Sequence, residues 1–404
     1  MTLRLWETVG VPQRQEAVMA TSMLETKFHL PRARPGAVLR PRLIELLDRG
    51  TAATLTLISA PTGFGKTTLL AQWLERRALG TPGGPSVAWL SLDAGDNDAR
   101  SFGSYLVSAL RTVAPDAGTD ELAQLHAADP PPITRLLTTL LNDIGGLTSD
   151  LALVLDDYHV IESREVHDAV AYLLDHAPPR MHLVITSRTD PPVPLARLRA
   201  RGELVEIRVA DLRFSPDEAA SYFNGAMGLA LTAAEVSTLE ERTEGWIAAL
   251  QLAALSIQGR DDVAGFINTF AGDNRYIVDY LAEEVLERQP EHIRRFLLHT
   301  SILGRLNGSL CDAVTGQQRC QATLEVPDRA NLFLISLDDQ RGWFRYHHLF
   351  GVVLRARLRD EQPELVSTLH RRASGWHEQH GWRGEAIRHA LVAADFEGAA
   401  DLVE

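Results

Sequence analysis

The chain is 404 residues long, 45% hydrophobic and 23% charged, the make-up of an ordinary globular protein with room for about two to four domains. Its net charge of −13 excludes a surface that coats nucleic acid over the whole molecule, and no stretch approaches the ~18 consecutive apolar residues of a membrane helix. Cys311 and Cys320 have no histidine or second cysteine pair at zinc-ligand spacing, so free thiols in a reducing compartment are expected.

Residues 1–24 contain Glu7, Arg14 and Glu16 and no apolar h-region, so they are not a signal peptide. A poorly ordered leader is expected there, with Met23 a candidate start, and a cytoplasmic location. Residues 26–36 are proline-rich and extended, and 38–47 form an amphipathic helix with Pro41 in its first turn, where the missing N–H costs nothing. Then comes Leu55-Thr-Leu-Ile-Ser-Ala60-Pro61-Thr62-Gly63-Phe64-Gly65-Lys66-Thr67-Thr68, a β-branched strand, a glycine-bearing loop and a helix start. The spacing from Ala60 to Thr67 is that of the phosphate-binding loop, with alanine at the first glycine position. Gly63 and Gly65 let the backbone curl so that successive N–H groups face phosphate oxygens, and the helix adds its positive dipole end. Lys66 is placed to reach the β- and γ-phosphates and Thr67 to ligate Mg²⁺. Of 40 basic residues only Lys27 and Lys66 are lysines. An ammonium is kept where a bulky guanidinium would not substitute.

A short apolar run at 86–90 reads as a second strand, followed by an acidic loop at 93–98, left as a solvated turn, and a helix through Phe102, Leu106 and Leu110. Residues 115–132 read as a loop with a short helix, and 133–147 as a helix. The apolar strand Leu151-Ala-Leu-Val-Leu155 ends in Asp156-Asp157, a helix follows near 165–176, and strands follow at 182–186 and 204–207. Strands alternating with helices predict an α/β fold, a parallel sheet covered on both faces. Ligands of such sheets bind at the carboxyl ends of the strands. After Leu212 the alternation stops. Ser215-Pro-Asp-Glu218 opens a helix as a capping box, and helices are predicted near 216–227, 232–241, 245–257 and 276–288. Residues 291–350 give helices and then two short strands, like a winged helix, and 365–404 resemble the opening of a helical-repeat solenoid. The expected domains are a P-loop nucleotide-binding domain at 25–212, a helical domain at 213–288, a winged-helix domain at 289–362 and the start of TPR-like repeats at 363–404.

Asp156-Asp157 fits the second station of a P-loop NTPase. The first acid holds Mg²⁺ with Thr67, and the second orients or deprotonates an attacking water. The bland alternative is a helix cap. Neither acid is a glutamate of the motor type, so slow hydrolysis is expected. Thr186-Ser187-Arg188, at the next strand end, reads either as a polar cluster that senses the γ-phosphate, with Arg188 in cis, or as a cap followed by a solvated arginine.

Further motifs join these: Thr26-Lys27, Arg40-Pro-Arg42-Leu43, Trp89-Leu-Ser-Leu-Asp93 with Asp96-Asn-Asp98, Thr186-Ser-Arg188-Thr-Asp-Pro-Pro192, Thr243-Glu-Gly-Trp246, Asn331-Leu-Phe333 and Arg345-Tyr-His-His-Leu-Phe350. Together they resemble the signal-transducing ATPases with numerous domains and, within them, the MalT-type ATP-binding regulators of the LuxR class. The resemblance implies a clamp of three domains closed on ADP, opened by an inducer and ATP, and then self-association to activate transcription. It implies that Val38 and Arg40 contact the adenine side and that 60–68 hold the phosphates. It also implies that Gly245 and Trp246 belong to a nucleotide-contact motif that usually has proline where Ile247 stands, and that His347 faces the β-phosphate. DNA binding is implied only for a C-terminal helix-turn-helix that this chain does not contain, so a truncated regulator is expected. The inducer is not encoded. A P-loop kinase or motor ATPase, and a non-catalytic scaffold with a relic loop, stand as the rival readings.

Overall fold

A computed structural model describes residues 23–403 except 34–35, 81–84, 126, 128–130, 261, 271–274, 330–331, 339 and 341. The expected leader at 1–22, and Asn331, lie outside the described residues. Five parallel strands, β1 (Leu55–Ser59), β2 (Ser86–Ser91), β3 (Leu151–Asp156), β4 (Met181–Ser187) and β5 (Leu204–Ile207), form one sheet in the order β2-β3-β4-β1-β5. β4 lies between β1 and β3, with Ser59 beside Ser187 and Leu155 beside Ile185. The phosphate loop, Asp156 and Thr186 therefore emerge at neighbouring carboxyl ends.

Period-two alternation divides the strands between two apolar cores. Leu55, Leu57, Leu153, Leu155, Leu183 and Ile185 face Phe102, Leu137 and Leu173 of the helices on one side. Ile58, Val154, Val184 and Ile207 face the other side. That second core continues without a break through Leu212, Phe223, Leu250 and Leu281 to Phe296, Leu349 and Leu369. The P-loop domain and the helical modules thus share one apolar interior.

Past β5 the chain is helical. The capping box is present: Ser215 Oγ accepts from Glu218 N at 3.2 Å and Glu218 Oε2 accepts from Ser215 N at 3.1 Å. The helices Pro216–Ala220 and Arg275–Leu281 each continue into a wider π-type turn, at Ser221–Ala226 and Ala282–Leu286. A short helix at Val263–Thr269 was not anticipated, because seven residues carry too little periodicity to register. Helices Glu291–Thr300, Gly308–Thr315 and Cys320–Arg329 precede an antiparallel pair, β6 (Leu334–Ser336) and β7 (Phe344–Tyr346), and the helix His348–Glu361. Helices Pro363–Gln379, Arg383–Val392 and Phe396–Asp401 complete the described chain.

The acidic loop at 93–98 is not the solvated turn expected. Asp96 is fully buried, and Lys27 Nζ donates to both its carboxylate oxygens at 2.9 and 2.8 Å while lying 4.1 Å from the Tyr105 ring centre. The loop anchors the segment that precedes the first helix. That explains the other lysine: its slim ammonium fits between two acids, Asp96 and Asp93, and a ring.

Candidate nucleotide site

β1 delivers the chain to a buried Ala60, and the loop turns on Gly63 and Gly65, with φ of +76° and +79°, a region that L side chains rarely adopt. Gly63 has a second reason to be glycine. A Cβ there would lie 2.7 Å from Ala248 Cβ and 2.9 Å from Trp246 Nε1, so the helical domain rests on the loop itself. Ala248 N donates to Gly63 O at 3.2 Å and Trp246 Nε1 donates to Thr62 O at 3.3 Å. The Thr62 and Tyr280 hydroxyls lie 3.1 Å apart.

Lys66 starts the helix Lys66–Gly80 and folds back, its Nζ donating to Ala60 O at 2.9 Å and Pro61 O at 3.1 Å. Burial pulls its ammonium down to about 8; Arg188 adds to the pull and Asp157 and Asp156 oppose it. Thr67 Oγ1 is 3.3 Å from both carboxylate oxygens of Asp156, and Thr186 donates a short hydrogen bond to Asp156. Burial raises the Asp156 carboxyl in spite of those hydroxyls. Asp157 takes a left-handed backbone, φ 59°, and its N–H donates to Thr186 Oγ1 at 2.9 Å, which turns a half-exposed carboxylate back toward His159. Thr186 thus holds both acids. His159, partly buried near Arg188 and Lys66, is held down to about 4 by desolvation and is therefore neutral at neutral pH.

Two cavities flank the loop. One, of about 450 Å³, is walled by Val38, Gly63, Phe64, Gly65, Thr68 and Tyr222, with Arg40, Gln72, Ile247, Ala248 and Tyr280 completing it. The other, of about 370 Å³, lies across the loop between Pro61, Thr62, His159, Arg188, Glu284 and Arg288. The donor set fits a nucleotide and its metal: loop amides at a helix start, an ammonium, and a hydroxyl paired with a carboxylate.

Three of the expected contacts are placed differently from the rest. Arg40 borders the first cavity, but its guanidinium donates to Leu212 O at 2.9 Å, Arg213 O at 2.7 Å and Glu218 Oε2 at 3.0 Å, over the Phe214 ring. It clamps the linker between domains, with Nε, Nη1 and Nη2 all engaged there. Gly245 and Trp246 line neither cavity; Ile247 and Ala248 do. Trp246 is fully buried behind the loop, packed on Phe64 and Phe333. His347 lines neither cavity. It is 2% exposed, its Nε2 lies 3.1 Å from Thr243 O, and its ring meets Trp246 edge-on at 6.0 Å.

Residues 282–366 match the sequence model of the MalT winged helix domain. Over 384 residues, 94% of its length, the chain is 36% identical to the HTH-type transcriptional regulator MalT of Klebsiella pneumoniae, of which it spans 42%. Over 369 residues it is 38% identical to the serine/threonine-protein kinase PknK of Mycobacterium tuberculosis, of which it spans 33%. The chain carries a match to the MalT winged helix domain and is similar to MalT over nearly its whole length. It thus spans well under half the length of these curated relatives. Among solved structures, a signal-transducing ATPase with a tetratricopeptide-repeat sensor from Pyrococcus horikoshii covers 92% of this chain, and half of that chain is matched, at 17% identity and a TM-score of 0.39, too loose a fit to carry detail over.

The sequence reading missed Tyr280, His159, Arg288 and Glu244. Glu244 caps a helix in a left-handed conformation, φ 50°, and joins three regions. Its carboxylate accepts from Arg213 of the linker at 3.1 Å, from Arg345 of β7 at 2.8 and 2.9 Å, and from His348 N at 2.9 Å. Burial pushes its carboxyl up, but Arg345 and the His348 N–H outweigh that and hold it down to about 2. The only local signal was its place in Thr243-Glu-Gly-Trp246; Arg213 lies 31 positions away, and Arg345 and His348 101 and 104 positions away.

Proposed function

We propose that this chain is the nucleotide-operated switch of a MalT-type regulator, closed on ADP and converted by ATP to a self-associating form. The observation that carries the reading is that the phosphate loop bonds directly to the helical domain through Gly63 O and Thr62 O, while Glu244 ties that domain to the winged helix. A phosphate entering the loop must alter contacts that reach the wing. Similarity over more than nine-tenths of the chain to one relative named a kinase and another named a transcriptional regulator supports a shared control module, with output chemistry elsewhere. In this reading the base occupies the cavity beside Val38 and Tyr222, and Lys66 leaves Ala60 and Pro61 for the phosphates. Thr67 and Asp156 hold Mg²⁺, which supplies charge neutralisation at the phosphates. Asp157 orients water in a slow hydrolysis and Arg188 faces the terminal phosphate. DNA contact is assigned to a separate helix-turn-helix, not to this acidic span.

The test is to denature the purified chain and identify what it releases. Released ADP near one equivalent is expected. A chain that releases no nucleotide and binds neither ADP nor ATP overturns the proposal.

A further inference from the structure

Far from the phosphate loop, the hairpin of helices Pro363–Gln379 and Arg383–Val392 buries three histidines around one carboxylate. One ligating atom each from His377, Glu385 and His389 lies within 4.8 Å of the other two. Glu385 and His389 are four residues apart and so share a face of the second helix. His377 stands in the last turn of the first helix, its ring stacked on that of His389 at 5.4 Å and 14°. A tetrahedral zinc ion with bonds of ~2.1 Å spaces its ligands ~3.4 Å apart, so small side-chain rotations suffice to close the set.

Three observations point to a cation. His377 is 5% exposed, and its Nδ1 is buried with no hydrogen-bond partner among the described residues, a cost that a ligand would remove. A cation already bridges the other two donors: Arg388 Nη2 lies 2.6 Å from Glu385 Oε2 and 2.9 Å from His389 Nε2. That arginine is half-exposed and free to swing outward. Third, His389 Nε2 accepts from Arg388, so the ring proton sits on Nδ1, which lies 2.8 Å from His370 Nδ1 and donates to it. A ligating histidine whose other nitrogen donates to a fixed acceptor is the usual arrangement around a protein-bound metal.

We propose that His377, Glu385 and His389 bind a divalent transition-metal ion of the zinc class, with His370 orienting His389, and that the metal clips the first helical hairpin. Two nitrogens and a carboxylate oxygen suit zinc, and a water completes the shell. Structural necessity alone does not explain the cluster, since leucines would fill the same space without an unpaired nitrogen.

The test uses the whole chain, stripped with a chelator and titrated separately with Zn²⁺ and with Co²⁺, the latter read by its visible absorption bands. One tight equivalent of Zn²⁺ is expected, with a melting temperature that rises on loading and falls again with chelator. Glu385→Gln, at a half-exposed position where the fold is safe, should weaken Zn²⁺ binding at least about tenfold, as should His370→Phe, and His377→Ala should remove the Co²⁺ bands. Arg388→Met, which deletes the competing cation, should tighten binding. Circular dichroism of each metal-free variant separates a lost ligand from a lost fold. Absence of a tight equivalent in the parent chain, or Zn²⁺ binding unchanged in folded Glu385→Gln and His377→Ala, overturns the proposal.

Discussion

Lys66 concentrates the chemistry of the loop. Its ammonium is buried against two carbonyl oxygens, and burial pulls it down to about 8 from the ordinary 10.5. A folded pKa below the unfolded one means that the unfolded chain holds the extra proton between about 8 and 10.5. Stability of the nucleotide-free chain should therefore rise with pH across that window. Lys66→Met should flatten the rise in a series of denaturant titrations. Lys66→Ala should also abolish nucleotide binding and with it the gain in melting temperature that ligand confers; unchanged nucleotide content would remove the loop from the site. Asp157→Asn should keep ATP bound and slow its turnover, whereas turnover at the parent rate would reduce Asp157 to a turn residue. The loop and the paired acids were legible in sequence because phosphate binding uses contiguous residues and strand ends. Tyr280 was not, since Thr62 and Tyr280 are 218 positions apart and no local pattern marks a hydroxyl that meets its partner only through packing.

At the scale of elements, the two loop glycines do different work. Both have positive φ, so an alanine at either is strained by ~1–3 kcal/mol. At Gly65 the added methyl finds Ile247 at a comfortable 3.7 Å, but at Gly63 it collides with Ala248 at 2.7 Å on the helix Ile247–Ile257. Gly63→Ala should therefore lower the melting temperature by clearly more than Gly65→Ala and also speed nucleotide release. Equal losses would mean that the helical domain does not bear on the loop. The parallel sheet and the helical domain were readable from alternation of elements and from the Ser215–Glu218 box, whereas the strand order β2-β3-β4-β1-β5 was not. The Lys27–Asp96 pair was not: a run of acids reads as solvent-facing until a cation from another segment, 69 positions away, is folded against it. Arg40 likewise sits in a motif beside the site, yet only the fold reveals that carbonyls of 211–213 and Glu218 occupy its donors.

For the whole molecule, the question is what keeps the winged helix against the rest. The aromatic stack from Phe64 through Trp246 and Phe333 to Phe350 supplies non-directional burial. Orientation comes from Glu244, which is largely buried and paired with Arg213 and Arg345, each about a third exposed. Its carboxyl is held near 2 instead of 4.5, so its contribution is present above 4.5 and lost as pH falls toward 2. Glu244→Gln keeps the shape and leaves both arginines without their countercharge. It should cost on the order of 2–3 kcal/mol at neutral pH and flatten the acid limb of the stability profile between about 4.5 and 2. If this junction holds the closed form, the same substitution lowers the energy gap to an open one by the differential part of that cost. The variant should then release bound nucleotide faster, show a larger radius of gyration in solution scattering, and self-associate at lower ATP concentration. Arg345→Gln should reproduce these effects, while His348→Ala, which keeps the backbone N–H that Glu244 uses, should not. A Glu244→Gln chain that loses stability but keeps parent nucleotide release and parent dimensions would make the junction a staple, and the coupling would have to run through the aromatic stack instead.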